Sequence, residues 1–524
     1  MERRRLNVVA GVVAVLGAWA CSDNASTTNP TVPGGAGAAG VAAGTGAVAG
    51  ITAGPAAGGV ATAGTGTTAG TAGTVAATAG IGGAGTAGTS AGASGQPASG
   101  ASAGASGGAA GGGASDVGTD PLTPLSDAVA LPLVFVHGFA GSAQQYLSQK
   151  LRFVANGYPA DRIVAYEHNG DGFDTAGFAA GLGTVVDQVM TKFGTSKVYL
   201  AAHSRGGGVV GAYLGDAQNA AKVAKYVALD AIGACSVPAG VSCLSLTQAA
   251  LSQKHVEVST SAESFKQQYK HFIGEDPKVV DIVRQKGLSV ISGRAQNFPA
   301  NTGRTGATVN VWEIDGNTAA RVGSAALATF TIPADGNWGP ATVDPDKFYE
   351  LELINTEGGA TQHFYGQRFL RSTDFVRLLT GGPETESSMN TNKSDKHVAL
   401  LVSRQREWTM TDVLEISAMT PTGNSEPVNV INAAAAGRNA IAIHLHDAAA
   451  SPGDSTLSPL PYFSTASFQY GMDMFISASD PPAGTVVVKN IPRGDTARPQ
   501  ILRTANWPSS THRVSVLFSD FTQD

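Results

Sequence analysis

Hydrophobic and polar positions follow two different rhythms along this chain, and the rhythm changes near Gly287. Between Pro121 and Gly287 short β-like runs take turns with amphipathic stretches. Residues 131–136 form a first apolar run, and residues 143–156 follow with Leu147, Leu151 and Val154 on one helical face at i, i+4 and i+7. Residues 162–166 then read as a strand, the stretch from Leu182 to Phe193 as a helix, 197–201 as a strand, the segment after Ser204 as a helix, and 226–229 as a strand. A further helix is expected to start near Ser261. Strands that alternate with helices pair in parallel and need cover on both faces, so residues 121–287 predict an α/β domain with a mostly parallel sheet. Beyond Gly287 the runs 307–312, 348–353, 398–402, 440–444 and 485–488 are separated by Gly, Pro, Asn and Asp turns. That spacing predicts an all-β region over 288–524, either one large unit or two, 288–385 and 386–524.

Upstream of Pro121 the pattern disappears. Residues 22–120 are almost entirely Gly, Ala, Thr and Ser, with no sustained apolar periodicity and too little large apolar surface to offset the entropy of folding. They read as a disordered tether, and a coil of about 100 such residues has an r.m.s. reach of roughly 55 Å. Ahead of it, a basic head from Met1 to Arg5 and an apolar stretch to Trp19 lead to Ala20 and Cys21. This reads as an export signal over 1–21, its apolar part being shorter than the roughly 20 residues a bilayer-spanning helix needs. A small residue followed by Cys21 resembles the bacterial lipoprotein signal, which implies lipidation of Cys21 and a membrane-anchored, extracytoplasmic protein. Ala18 stands where that signal usually has Leu and Trp19 is bulky, so plain secretion stays open. In an exported chain the remaining pair, Cys235 and Cys243, reads as a disulfide worth roughly 2–3 kcal/mol. A net charge of −6 without a basic patch gives no reason to expect a nucleic-acid partner.

Candidate chemistry centres on residues 197–208, a strand running into a serine flanked by small residues and then into a helix. Strand, tight turn and helix make a nucleophile elbow of Ser204, because the strained turn needs small side chains two residues before and after, here Ala202 and Gly206. Ala202 replaces the usual Gly, a variant also seen in small bacterial lipases. The run 134–142, containing His137, Gly138, Phe139, Ala140 and Gly141, follows the first strand, where such sites place one oxyanion donor. The backbone N–H of Phe139 is favoured for that donor, with Ala140 as an open neighbour, and the N–H of Arg205 is the other. His137 is expected to brace the loop. A serine nucleophile needs a base, and the base needs an orienting carboxylate. Asp230 ends the strand 226–229 and is the favoured acid, Asp216 lying on the helix after the elbow. His255 is the favoured base, with His271 inside the following helix as its rival.

Residues 138–142, 151–161, 221–224 leading into Leu229 and Asp230, and 255–265 together resemble the two-domain archaeal lipases, which join an α/β-hydrolase domain to a C-terminal β-domain. The resemblance continues through 349–353 and 367–371 and so covers most of the chain after Pro121. It implies the same triad, Ser204, Asp230 and His255, hydrolysis of acylglycerols and simple aryl esters, and a β-domain that contacts lipid. This chain departs in two places: Arg205 stands where many members have Met, and the segment from His168 to Ser204 is too short to contain their helical lid. A site without that lid is expected to accept soluble, shorter esters.

The expected function is therefore an extracytoplasmic serine carboxylic ester hydrolase of the lipase or esterase kind, acting on acylglycerols or short- to medium-chain esters, with no cofactor, no metal and no inferred protein partner. Two rivals are a polyester depolymerase that docks through its β-domain and a surface-binding lipoprotein with an inert hydrolase core. His444, His446 and Asp447 read as a polar strand face rather than a metal site, and residues 169–174 as an active-site rim loop. Phe348, Tyr349, Phe364, Tyr365 and Phe369 read as β-domain core.

Overall fold

The computed structural model describes residues 124–356, 359–381 and 392–519. The export signal, Cys21, the tether and the start at Pro121 lie outside the described residues. The first region is built on five parallel strands, β1 (Leu133–Val136), β2 (Ile163–Tyr166), β3 (Val198–His203), β4 (Val223–Leu229) and β5 (Ser242–Leu246), in the order β2-β1-β3-β4-β5. The helices in chain order are α1 (Leu147–Ala155), α2 (Thr175–Phe193), α3 (Arg205–Leu214), α4 (Ala217–Ala221), α5 (Gln248–Leu251), α6 (Glu257–Thr260) and α7 (Ala262–Ile273).

Strand pleating explains why the central strands are apolar throughout. Successive side chains leave opposite faces, so Leu133 and Phe135 of β1 enter one core with Leu151, Phe153, Phe265 and Phe272 from α1 and α7. Val134 and Val136 enter the other, with Leu182, Val186, Val209 and Val210 from α2 and α3.

Two helices begin where periodicity alone does not place them. Residues 143–146 form a 3₁₀ turn, capped by the Ser142 hydroxyl, before α1 proper begins. The second helix starts at Thr175 rather than near Leu182, with the Asp174 carboxylate accepting from the Gly177 N–H. Its Gly- and Ala-rich first turns carry no apolar stripe, which is why a hydrophobic period does not reveal them. The strand β5 is not apparent in the sequence pattern, and Cys243 on it is bonded to Cys235 in the loop after Asp230, the two Cα atoms 5.6 Å apart.

The second region is all β. One eight-stranded sheet runs Gln469–Asp473, Ala442–His446, Leu400–Arg404, His512–Phe518, Thr361–Gly366, Phe348–Ile354, Thr308–Ile314, Ala328–Thr331. Parallel pairing of Thr361–Gly366 with His512–Phe518 makes the sheet continuous across residue 385. Further sheets form around Ser289–Asn297 and around Thr485–Ile491. Tyr349 and Tyr365 are buried, Phe348, Phe364 and Phe369 pack against the same cores, and none of the five is among the exposed large hydrophobics.

Breaking the Cys235–Cys243 bond should lower stability by about 2–3 kcal/mol, because it closes a short loop in the unfolded chain. Thermal unfolding with and without reductant reads this as a lower midpoint under reduction, and the Cys235→Ser, Cys243→Ser double variant should already show that lower midpoint in both conditions.

Candidate active site

The parallel sheet delivers the ends of β1, β3 and β4 to one edge, and the candidate residues follow those ends. Ser204 stands between β3 and α3 with φ 53° and ψ −125°. A side-chain-bearing residue in such a conformation costs on the order of 1–3 kcal/mol and needs its surroundings to hold it. Its N–H donates to Leu229 O at 3.2 Å, and its own carbonyl accepts from the N–H groups of Gly207 (3.0 Å) and Ile232 (2.9 Å). Close packing makes the neighbouring glycines obligatory: a Cβ on Gly206 would lie 2.5 Å from the Val136 carbonyl oxygen, and one on Gly138 would lie 2.9 Å from the Ser204 Cβ. The elbow is thus pressed directly against the end of β1.

At the end of β4, Asp230 also has a positive φ, 42°. Its Oδ2 lies 2.5 Å from His255 Nδ1, and Gln248 donates to the same carboxylate through its side chain (2.8 Å) and its backbone (3.3 Å). Burial pushes the Asp230 pKa up, but the hydrogen bond to His255, its charge and the Gln248 donors outweigh that and hold the pKa below the ordinary carboxylate value. An ionised Asp230 facing Nδ1 sets the tautomer that leaves His255 Nε2 available as a base.

Beneath it lies His203. Its Nε2 is 2.9 Å from the His255 carbonyl, which only accepts, so this nitrogen carries the proton, and its Nδ1 accepts from Gln145 Nε2 at 2.7 Å. Burial pulls the His203 pKa well below its ordinary value, consistent with a neutral ring. The His203 and His255 rings are 4.4 Å apart, which sets His255 over the residue preceding Ser204. A hydrogen bond between the Ser204 hydroxyl and His255 is not among the contacts of the described residues. The acid and the imidazole are thus joined.

Both rivals occupy structural posts. Asp216 caps α4 by accepting from the N–H groups of Gln218 and Asn219, and His271 lies against the Ser242 carbonyl at the opposite, N-terminal end of β5.

In the loop after β1 the two neighbouring candidate donors differ in what their N–H groups meet. The Ala140 N–H is already given to the Gly170 carbonyl at 2.9 Å, whereas the Phe139 N–H donates to no backbone acceptor among the described residues. The N–H of Arg205, first residue of α3, has no intrahelical partner either. His137 is buried and stacks on His168 at 3.9 Å, and burial lowers its pKa, so it acts as a brace.

The Arg205 side chain has a separate task that the sequence pattern does not announce. Its guanidinium donates to the carbonyls of Gly172 and Asn169 and reaches His168 Nδ1, while lying over the rings of Phe139, Phe173 and Phe178. It therefore ties the rim loop to the oxyanion loop. From the β region, Asn301 donates through Nδ2 to Gly141 O (2.8 Å) and His168 O (2.9 Å), and Pro299 O accepts from the Gly170 N–H at 2.7 Å. An Asn at φ 57° in a turn is unremarkable in sequence, and nothing nearby marks it as a support for a loop 160 residues upstream.

Among the described residues, metal-ligand spacing occurs at Glu350, Glu352 and His363. Arg321 pairs with both carboxylates and His363 Nδ1 lies 2.8 Å from Glu350, so this is an ion-pair network whose cation is an arginine. His444 bonds Gln469 and stacks on Phe463, with its ring 6.0 Å from that of His446.

The lipase C-terminal domain family matches residues 288–383, and a further C-terminal domain family matches residues 386–522. A non-heme chloroperoxidase of Burkholderia pyrrocinia is 35% identical over 112 residues, which span 20% of this chain and 38% of that protein. The chain thus covers well under half the length of this relative. Among solved structures, the mature lipase BlEst2 of Bacillus licheniformis aligns at 24% identity over 21% of this chain and 44% of its own, with a TM-score of 0.19. The esterase RhEst1 of Rhodococcus sp. ECU1013 aligns at 29% identity over 21% and 40%, with a TM-score of 0.17. A parallel sheet flanked by helices with a serine elbow at its edge, followed by an all-β region whose residues 288–383 match the lipase C-terminal domain family, gives this chain an α/β-hydrolase fold joined to a lipase-type C-terminal domain.

Proposed function

We propose that the protein is a serine carboxylic ester hydrolase that cleaves acylglycerols or short- to medium-chain esters through an acyl-enzyme. In this reading the Ser204 hydroxyl attacks the ester carbonyl while His255 Nε2 takes its proton. Asp230 orients the imidazole and stabilises its charged form. The N–H groups of Phe139 and Arg205 stabilise the oxyanion. His255 then passes the proton to the departing alcohol, and water, activated by the same imidazole, releases the acid and restores Ser204.

One observation carries the reading: His255, hydrogen-bonded to Asp230, packs against His203, the residue before a serine held at positive φ. Shorter, soluble esters are favoured because only residues 167–174 separate β2 from α2, leaving a rim loop with an exposed Phe173 rather than a helical cover. Export, with a lipid anchor on Cys21, completes the proposal and rests on the residues from Met1 to Cys21.

Chain-length profiling with aryl esters, beside emulsified triacylglycerol and an insoluble polyester, tests the reading. Wild type should turn over short acyl chains fastest. Ser204→Ala should lose at least about a thousandfold in kcat, and Asp230→Asn roughly a hundredfold or more, with little change in KM. Equal turnover by wild type and Ser204→Ala would remove the serine from the mechanism.

Asn301→Ala should lower kcat on a short aryl ester by roughly tenfold, because the Phe139 amide loses its support, and should also lower the thermal unfolding midpoint. Steady-state kinetics and a melting curve check the two effects separately.

A further inference from the structure

The residues that follow His255 are held by a side chain from about 150 positions further along the chain, in the β region. Val256 N–H donates to Glu407 Oε1 at 2.6 Å, and Glu257 N–H donates to Glu407 Oε2 at 3.2 Å. The Glu407 carboxylate is fully buried, and among the described residues its oxygens have no cation within ion-pair distance. Nearby cations are engaged elsewhere: Arg406 and Arg493 pair with the Glu257 side chain at 3.2 and 2.6 Å, and Arg404 and Arg493 also pair with Asp412. Burial pushes the Glu407 pKa up, and the two amides and the nearby His255 oppose that rise.

A buried carboxylate whose two oxygens each accept one backbone N–H fixes two consecutive peptide planes. Glu407 is itself anchored, since it lies between Arg406 and Trp408, the latter fully buried in a core of the β region, and its carbonyl accepts from Arg404. The β region also supplies Phe468, whose ring lies nearly parallel to the His255 imidazole at 6.2 Å, while His203 packs against that imidazole at 4.4 Å.

We propose that Glu407 is a positioning residue for the ester hydrolysis: its carboxylate locks the backbone at Val256 and Glu257 and so keeps the His255 imidazole on the line between Asp230 and Ser204. The β region is on this account a working part of the active site even for small, soluble esters. The inference rests on the reading of His255 as the base. Its consequence is kinetic: an imidazole that drifts by about an ångström slows proton transfer by roughly 10- to 100-fold while leaving the ester's own contacts in place.

The test uses the full chain as wild type, Glu407→Ala, Glu407→Gln and Ser204→Ala. Each is measured for kcat and KM on a short aryl ester, for the rate of labelling by a fluorophosphonate, and for its thermal unfolding midpoint. The expected result is a roughly 10- to 100-fold lower kcat and labelling rate for Glu407→Ala, KM within about twofold of wild type, and partial rescue in Glu407→Gln, to about three- to tenfold below wild type, because it keeps one of the two acceptor oxygens. Wild-type kcat in a folded Glu407→Ala overturns the inference, as does a loss that appears in KM instead. Should Glu407→Ala fail to fold, Glu407→Gln decides: a kcat at least threefold lower with unchanged KM supports the inference, and an unchanged kcat overturns it. A wild type that neither hydrolyses the ester nor labels at Ser204 overturns the hydrolase reading itself, a result distinct from an active wild type with an indifferent Glu407.

Discussion

Three residues with side chains hold positive φ at the ends of three adjacent parallel strands: Ala140 at 49° after β1, Ser204 at 53° after β3 and Asp230 at 42° after β4. Each such conformation is unfavourable for an L-residue, so each persists only because its surroundings leave no alternative. At Ser204 the constraint is steric as well as hydrogen-bonded, since the elbow touches the end of β1 through Gly206 and the oxyanion loop through Gly138. The parallel sheet makes this possible. Its buried, apolar strands are a rigid base against which strained turns can be braced, and all three strands emerge on the same edge.

Rigidity from below does not suffice for the loops above. The oxyanion loop is steadied by Asn301, the rim loop by Pro299 and Arg205, and the segment after His255 by Glu407. Glu167, at the end of β2, is bound by Arg377 of the β region at 2.6 Å and accepts from the Ala143 N–H at the start of the 3₁₀ turn. Burial would push the Glu167 pKa up, yet the charge of Arg377 and its hydrogen bond, together with His137, hold it down. These contacts are buried, charged or both, and breaking one partner of such a pair leaves the other uncompensated.

Much of the α/β region is legible from local pattern. An unbroken apolar run marks β1, both of whose faces are buried, and an i, i+4, i+7 stripe marks α1. The elbow is legible too, its small residues lying within two positions of Ser204. The start of α2 escapes because Gly and Ala carry no period, and β5 escapes because only Leu246 of its five residues is buried. That the Ala140 N–H is occupied shows only through the Gly170 carbonyl, which sits 30 residues further along and accepts its hydrogen bond.

By itself, then, the amino-acid sequence determined what is short in range: the alternation of strands and helices, the change to β structure near Gly287, the serine turn, the cysteine pair and the residue types needed for acyl transfer. The tertiary structure alone decided which of those groups meet. Asp230 and His255 come together across 25 positions, Asn301 reaches the oxyanion loop across 160, and Glu407 reaches Val256 across 151. The physical reason is that hydrophobic periodicity and turn chemistry act between near neighbours on the chain. A single buried hydrogen bond between distant residues leaves no periodic trace, and becomes visible only when packing has brought donor and acceptor to within about 3 Å.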